Sequence, residues 1–228
     1  MMSRIRSLFM LKINKKVFFI TTLIIVMITS LQALFASDAD KIIDEMQKKY
    51  QKSKSMEIQF KEINRFKLQN TTSEVFGTFV IKGKDQYRLN SEVQTIVTNG
   101  ETFWRYNKIE NQVIIDYAKK ESQEVFLNNF LYDLQKNYFS QLIEEYKEDG
   151  EKIYVLKLTP KPSSESFFTS IKIWVENKTW KIRKVLYTDY NENETEYEIE
   201  KLVFDKQFPD SFFTFVPVEG SEVVDVRY

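Results

Sequence analysis

The chain has no cysteine and no histidine in its 228 residues. Disulfides, thiol nucleophiles, histidine metal ligands and histidine general bases are excluded together. It also lacks an excess of charge of either sign, since 33 Lys and Arg balance 33 Asp and Glu. With no such excess, the basic footprint that nucleic acids or anionic membranes attract is missing. A nucleotide motif is missing too. Gly77 to Lys84 comes nearest to a phosphate loop, but five residues separate Gly77 from Gly83 and Asp85 follows the lysine, so the pattern fails. No serine sits in a nucleophile elbow. The acidic pairs Glu144/Glu145 and Asp149/Glu151 lie in solvated charge runs, where paired acid–base chemistry is disfavoured. A glycosidase using two well-placed carboxylates is the one enzymatic class left open. The expectation is therefore a protein that is not an enzyme, with no cofactor, no metal and no nucleic-acid partner.

What is present is aromatic and β-branched. Phe, Tyr and Trp make up 15% of the chain, with 19 Phe and 12 Tyr, enough to fill or line large apolar surfaces. The length suits one ordinary domain, and there is no repeat, low-complexity linker or second domain. At the N-terminus Arg4, Arg6, Lys12, Lys15 and Lys16 precede an apolar run from Val17 to Ile28, and Ala33-Leu34-Phe35-Ala36 follows. That order reads as a signal peptide over 1–36, cut after Ala36; an uncleaved anchor is the rival, because Val17 to Ala36 carries no charge. Export through the signal predicts a periplasmic location. Removing the five basic residues leaves 28 Lys and Arg against 33 Asp and Glu. No cysteine follows the apolar run, so the chain is not expected to carry a lipid anchor of its own.

The expected domain, 37–228, opens with a helix from Asp38 to about Lys54, with Ala39, Ile42, Ile43, Met46 and Tyr50 on one stripe. The period then switches to two. Met56, Ile58 and Phe60 alternate with polar residues, and a bulge is expected near Glu62. Further strands are predicted near 75–82, 86–91, 94–98, 102–106 and 112–117. Asn99-Gly100 between strand formers reads as a two-residue hairpin with both residues at positive φ. This pairs Ile96 with Phe103 and Val97 with Thr102, and puts Ile96 and Phe103 on one face, Val97, Trp104 and Tyr106 on the other. From Glu121 to Tyr146 the spacing of Leu127, Leu131, Leu134, Tyr138 and Leu142 predicts one or two amphipathic helices inserted between strands. Strands resume at 152–158, 168–175, 180–187 and 194–204. Pro209 to Phe213 suggests a helical turn, and Val223 to Val226 a last strand. This order predicts an α+β, mostly β fold: a highly curved antiparallel sheet forming an incomplete barrel, with the N-terminal and inserted helices over its concave side.

Several segments carry a family resemblance. They are Gly77-Thr78-Phe79-Val80-Ile81-Lys82, Tyr87-Arg88-Leu89, and Thr98-Asn99-Gly100-Glu101-Thr102-Phe103-Trp104-Arg105-Tyr106-Asn107, with Leu158-Thr159-Pro160-Lys161 at a strand exit. The closing pattern is Phe212-Phe213-Thr214-Phe215-Val216-Pro217-Val218-Glu219-Gly220 followed by Val223, Val224 and Asp225. In order and spacing these resemble the periplasmic lipoprotein carriers of the LolA type, across essentially the whole of 37–228. The resemblance implies a monomeric carrier that shields the acyl chains of lipoproteins between membranes. It implies three partners: lipoprotein cargo with an acylated N-terminus, an ATP-driven releasing transporter in the inner membrane and, where present, an outer-membrane acceptor. A periplasmic binding protein for free lipid is the alternative.

The resemblance also assigns residues. Phe60, Phe79, Ile81, Tyr87, Leu89, Ile96 and Phe103 are expected to line the acyl-chain cavity, although strand aromatics are by default core. Phe126, Leu127, Phe130, Leu131 and Leu134 are expected to form the apolar face of a lid at about 121–146. One departure stands out. Related carriers often have Lys-Arg-Pro after the glycine-led strand, the arginine hydrogen-bonding the lid, whereas this chain has Lys82-Gly83-Lys84; Lys82, Lys84 and Arg88 are the candidate substitutes.

Overall fold

The computed structural model describes residues 38–118, 134–164 and 166–227. Helix α1 spans 38–52. Its apolar stripe is the one read from the sequence: Ala39, Ile42, Ile43, Met46 and Tyr50 are all buried. Asp38 pairs with Lys41, and Glu45 with Lys48 at 2.8 Å, on its wet side. Ser53 ends the helix, its hydroxyl donating to the Lys49 carbonyl and its amide to the Tyr50 carbonyl.

Among the described residues, twelve strands follow in a single sheet. They are β1 (Ser55–Phe66), β2 (Thr71–Lys82), β3 (Gln86–Ser91), β4 (Gln94–Thr98), β5 (Thr102–Asn107), β6 (Gln112–Tyr117), β7 (Tyr138–Glu148), β8 (Glu151–Pro160), β9 (Phe168–Glu176), β10 (Ile182–Asp189), β11 (Glu194–Phe204) and β12 (Glu222–Asp225). A short helix α2 (Leu134–Asn137) leads into β7, and a 3-10 turn spans Asp210–Phe213. The spatial order is β12-β6-β5-β4-β3-β2-β1-β11-β10-β9-β8-β7. The sheet is unclosed: β12 and β7 are its edges, and every neighbouring pair is antiparallel except β12 with β6. Together with α1, this is the mostly β, incomplete-barrel architecture expected from the strand spacing.

Alternation gives the sheet two faces. The inner face, on which α1 lies, holds the main core of Met56, Ile58, Phe60, Phe79, Ile81, Leu156, Leu158, Ile171, Ile173, Val185 and their neighbours. Full burial stabilises each such side chain by about 1.5–3 kcal/mol. Tyr50 fastens α1 to this half: its phenol oxygen accepts the Ile182 amide at 2.9 Å, and its ring meets Phe204 edge-on at 5.3 Å. The outer face holds a smaller cluster of Val97, Val113, Ile115 and Phe215, flanked by Trp104 and Tyr106. The C-terminal segment covers that cluster before β12 joins β6.

Three details differ from the sequence reading. In the β4–β5 turn Asn99 is not at positive φ, whereas Gly100 is, at 94°. The turn therefore centres on Gly100-Glu101, with the Asn99 amide donating to the Thr102 carbonyl and the Asn99 side chain accepting from the Glu101 and Thr102 amides. Ile96 consequently faces Arg105, and Thr98 faces Phe103. Because the slip is an even number of residues, the face assignments survive.

The bulge lies elsewhere too. β1 pairs with β2 without interruption from Ser55 to Phe66, and the irregularity is against β11, where Glu200 is the extra residue beside Gln59 and Phe60.

The third difference is the largest. The predicted inserted helix does not run to Tyr146, because Tyr138–Glu148 is strand β7, paired with β8. Its hairpin closes through Asp149-Gly150, both at positive φ (51° and 83°), the geometry that Asp-Gly favours. The leucine spacing ending at Leu142 hid a strand in which Phe139, Gln141 and Ile143 face water while Leu142 is buried.

Candidate acyl-binding face

Strand register builds the candidate site. Across β1 to β6 one row of inner-face residues reads Ile58, Phe79, Leu89, Ile96, Arg105, Ile114; the next reads Met56, Ile81, Tyr87, Thr98, Phe103, Asp116. Phe60 lies level with Gly77 in a third row. All seven residues predicted to line a cavity are therefore on one face of the sheet, under or beside α1. Phe60, Phe79, Ile81, Tyr87 and Ile96 are buried there, while Leu89 and Phe103 are half-buried.

Glycine 77 has a steric reason to be glycine. A Cβ added to it would lie 2.5 Å from Phe60 Cζ and 3.1 Å from the Asn90 carbonyl oxygen. The Phe60 ring occupies the space above the glycine, so the glycine-led start of the motif holds an aromatic residue flat on the sheet. From Phe60 the rings continue across β11 and β10: Phe60 to Tyr197 at 5.6 Å, Tyr197 to Tyr187 at 6.0 Å, Tyr187 to Phe168 at 5.0 Å. Burial pushes the Tyr187 and Tyr197 phenols well above their ordinary range, and the Glu62 carboxylate pushes Tyr197 the same way.

Polar groups mark two margins of this face. Next to Glu62, the Asn64 amide donates to Glu62 at 2.7 Å and the Thr195 hydroxyl donates to Asn64 at 2.8 Å. On β5, Arg105 sits between Ile96 and Ile114, its guanidinium 5.9 Å from the centre of the Phe103 ring. Desolvation lowers its pKa, partly offset by the Tyr87 phenol. Burial pattern alone would not have singled out Arg105; its register opposite Ile96 does.

Two of the three candidate substitutes for the lid-binding arginine, Lys82 and Arg88, fall on the other side. Lys82 pairs with Asp210 at 2.6 Å and donates to the Phe208 carbonyl. Arg88 donates to the Phe212 carbonyl at 3.1 Å, its guanidinium 5.3 Å from the Phe212 ring. Both point from the outer face and hold the C-terminal segment. Gly83 is at a φ of 66° in the β2–β3 turn, a left-handed position. Among the described residues, Lys82 and Arg88 therefore anchor the C-terminal segment.

Of the expected lid residues, Leu134 is buried and packs in the main core. Phe126, Leu127, Phe130 and Leu131 lie outside the described residues. Among the described residues no cluster of three or more His, Cys, Asp or Glu could hold a metal ion, and no helix is long and apolar enough to cross a membrane.

Residues 51–216 match the family described as "Outer membrane lipoprotein carrier protein LolA". The chain belongs to the LolA family. A curated relative is "Uncharacterized protein MJ0687" of Methanocaldococcus jannaschii, 25% identical over 190 residues that cover 82% of this chain and 54% of that protein. The chain thus spans about half the length of the curated relative it matches. An uncharacterized conserved protein from Thermus thermophilus has the same fold, with TM-score 0.56 and 11% identity over 82% of this chain and 99% of the other. The LolA superfamily protein NE2245 from Nitrosomonas europaea aligns over 78% of this chain and 97% of its own, with TM-score 0.40 and 14% identity.

Proposed function

We propose that this protein is a periplasmic carrier that binds the acyl chains of lipoproteins released from the inner membrane and brings them to the outer membrane. The observation that supports it most is the apolar face of Phe60, Phe79, Ile81, Tyr87, Leu89, Ile96 and Phe103 across β1 to β5, in a LolA-family sheet left open between β7 and β12. The carrier takes cargo from an ATP-driven inner-membrane transporter and hands it to an outer-membrane acceptor where one exists. It reaches the periplasm through the segment 1–36, cut after Ala36, and works as a monomer without catalysis.

The task is physical. Each acyl CH₂ moved from water to an apolar wall gains about 0.8 kcal/mol, so a lipoprotein cannot cross water with its chains bare. Phe60, Phe79, Ile81, Tyr87, Leu89, Ile96 and Phe103 supply that wall. Phe126, Leu127, Phe130, Leu131 and Leu134 cover it when no cargo is bound, so displacing them offsets part of the binding energy and lets cargo leave.

The test mixes the purified protein with spheroplasts displaying a newly made, outer-membrane-destined lipoprotein. The expected result is a soluble complex of lipoprotein and carrier in the supernatant, lost in Leu89→Glu with far-UV circular dichroism unchanged. No release, beside a working carrier as control, leaves the fold standing and moves the reading to a protein that binds free lipid.

A further inference from the structure

The two ends of the sheet are chemically unlike. At one end the hairpins turn through Gly83-Lys84-Asp85, Asn99-Gly100-Glu101, Asp149-Gly150 and Asn177-Lys178-Thr179-Trp180, polar except for Trp180, which folds back to stack on Tyr154. Among the described residues, Tyr117 is the one large apolar side chain more than half exposed there. At the other end three neighbouring connections carry large apolar side chains in water. Leu68 is 83% exposed between β1 and β2, Tyr190 72% exposed between β10 and β11, and Phe167 67% exposed just before β9.

Register puts them at one level. Arg65 pairs with Glu194, Thr188 with Glu194, and Asp189 with Phe168, so the three tips lie at one end of five neighbouring strands, β2-β1-β11-β10-β9, with the Leu68 and Tyr190 hairpins about two strand spacings, roughly 10 Å, apart. The tips are held in place by polar bonds. The Lys67 amide donates to the Asn193 side chain at 3.0 Å, and the Asp189 carboxylate accepts the Asn191 and Asn193 amides at 2.7 and 2.9 Å. Charges beside the tips are matched, Arg65 with Glu194 and Lys67 with Glu192. An apolar residue gains nothing from such a position in water, and turn chemistry favours polar residues there.

We infer that this end of the sheet docks on a lipid bilayer, with Leu68, Tyr190 and Phe167 entering the interfacial layer. A protein partner is a poorer fit, because a stable interface covers roughly 800 Å² per side with close shape matching, and here three separate apolar points stand among polar turns. A fluid interface accommodates separate points, tyrosine suits its apolar-to-wet gradient, and lysine can extend from it to water. Paired charges make the contact apolar in origin, so it is independent of anionic lipid and of salt. The bilayer contact does not rest on the carrier reading, since it needs no cargo.

The absence of cysteine makes the test clean. Leu68→Cys, Tyr190→Cys and Phe167→Cys are each labelled with an environment-sensitive NBD dye in the processed protein, with Glu101→Cys at the polar end as reference. Phosphatidylcholine vesicles are added with and without phosphatidylglycerol, at low and high salt. The expected result is a blue shift and a several-fold rise in emission at all three tips, unchanged by phosphatidylglycerol or salt, with no response at Glu101→Cys. The triple variant Leu68→Ser, Tyr190→Ser, Phe167→Ser, whose sites are exposed and do not bear on folding, is expected to lose co-flotation with the vesicles. Silence at all three tips, an equal response at Glu101→Cys, or a response that requires phosphatidylglycerol and disappears in salt overturns the inference. Lipoprotein release without vesicle contact separates its failure from that of the carrier reading.

Discussion

Gly77 shows what a single atom does here. Its missing side chain is filled by the Phe60 ring, which is fixed on its far side by Tyr197. Gly77→Ala forces the ring or the β3 backbone at Asn90 to move, and overpacking of this kind costs about 1–3 kcal/mol. Urea unfolding is expected to show that loss with an unchanged m-value; a midpoint equal to the parent would mean that Phe60 swings away freely. The glycine was visible in the sequence as the start of a motif, but its reason was not, because Phe60 is a neighbour only through the β1–β2 register. Arg105 is similar: alternation with Phe103 gives its face, but its place opposite Ile96 is not readable until the turn is known to centre on Gly100-Glu101.

Elements were legible where one period dominated. The stripe of α1 and the alternation of β1 to β6 and β8 to β11 follow from residue spacing, since half-buried strands and a one-sided helix leave different periods. β7 was not legible, because leucine spacing up to Leu142 imitates a helix and only the Asp149-Gly150 turn, with its partner strand β8, argues otherwise. The candidate acyl face was readable as a set of strand residues, while the lid residues predicted at 126–131 lie outside the described residues. α1 offers a test at this scale. Ile43 is fully buried between the helix and the sheet, so Ile43→Ala is expected to cost about 2–5 kcal/mol, read by thermal or urea unfolding. A change below about 1 kcal/mol, the order of a surface substitution, would mean that α1 is only loosely docked.

For the whole molecule, three buried phenols set an alkaline limit. Burial raises the pKa of Tyr50, of Tyr187 and of Tyr197. A group whose folded pKa is raised contributes stability that is complete below its unfolded pKa and is lost as pH rises toward the folded one. With unfolded tyrosine near pH 10, stability is expected to be flat below about pH 9.5 on this account and to fall steeply above it. Absorbance of tyrosinate followed beside circular dichroism checks this: the buried phenols should ionise together with unfolding, and ionisation in the still-folded protein would contradict it.

The sheet order carries one more consequence, in the order in which the chain is made. β1 to β6 and β7 to β11 are each sequential meanders, and only the pairing of β1 with β11, residues such as Met56 and Phe204, joins them. The first meander can form as soon as it emerges, but one side of β1 then stays open until β11 arrives, and the free side of β6 until β12. A nascent chain therefore passes from residue 117 to residue 204 with two unsatisfied strand edges, the surfaces on which chains mispair with one another. Slowing elongation after residue 117 lengthens that interval, and aggregation yield during synthesis should follow it.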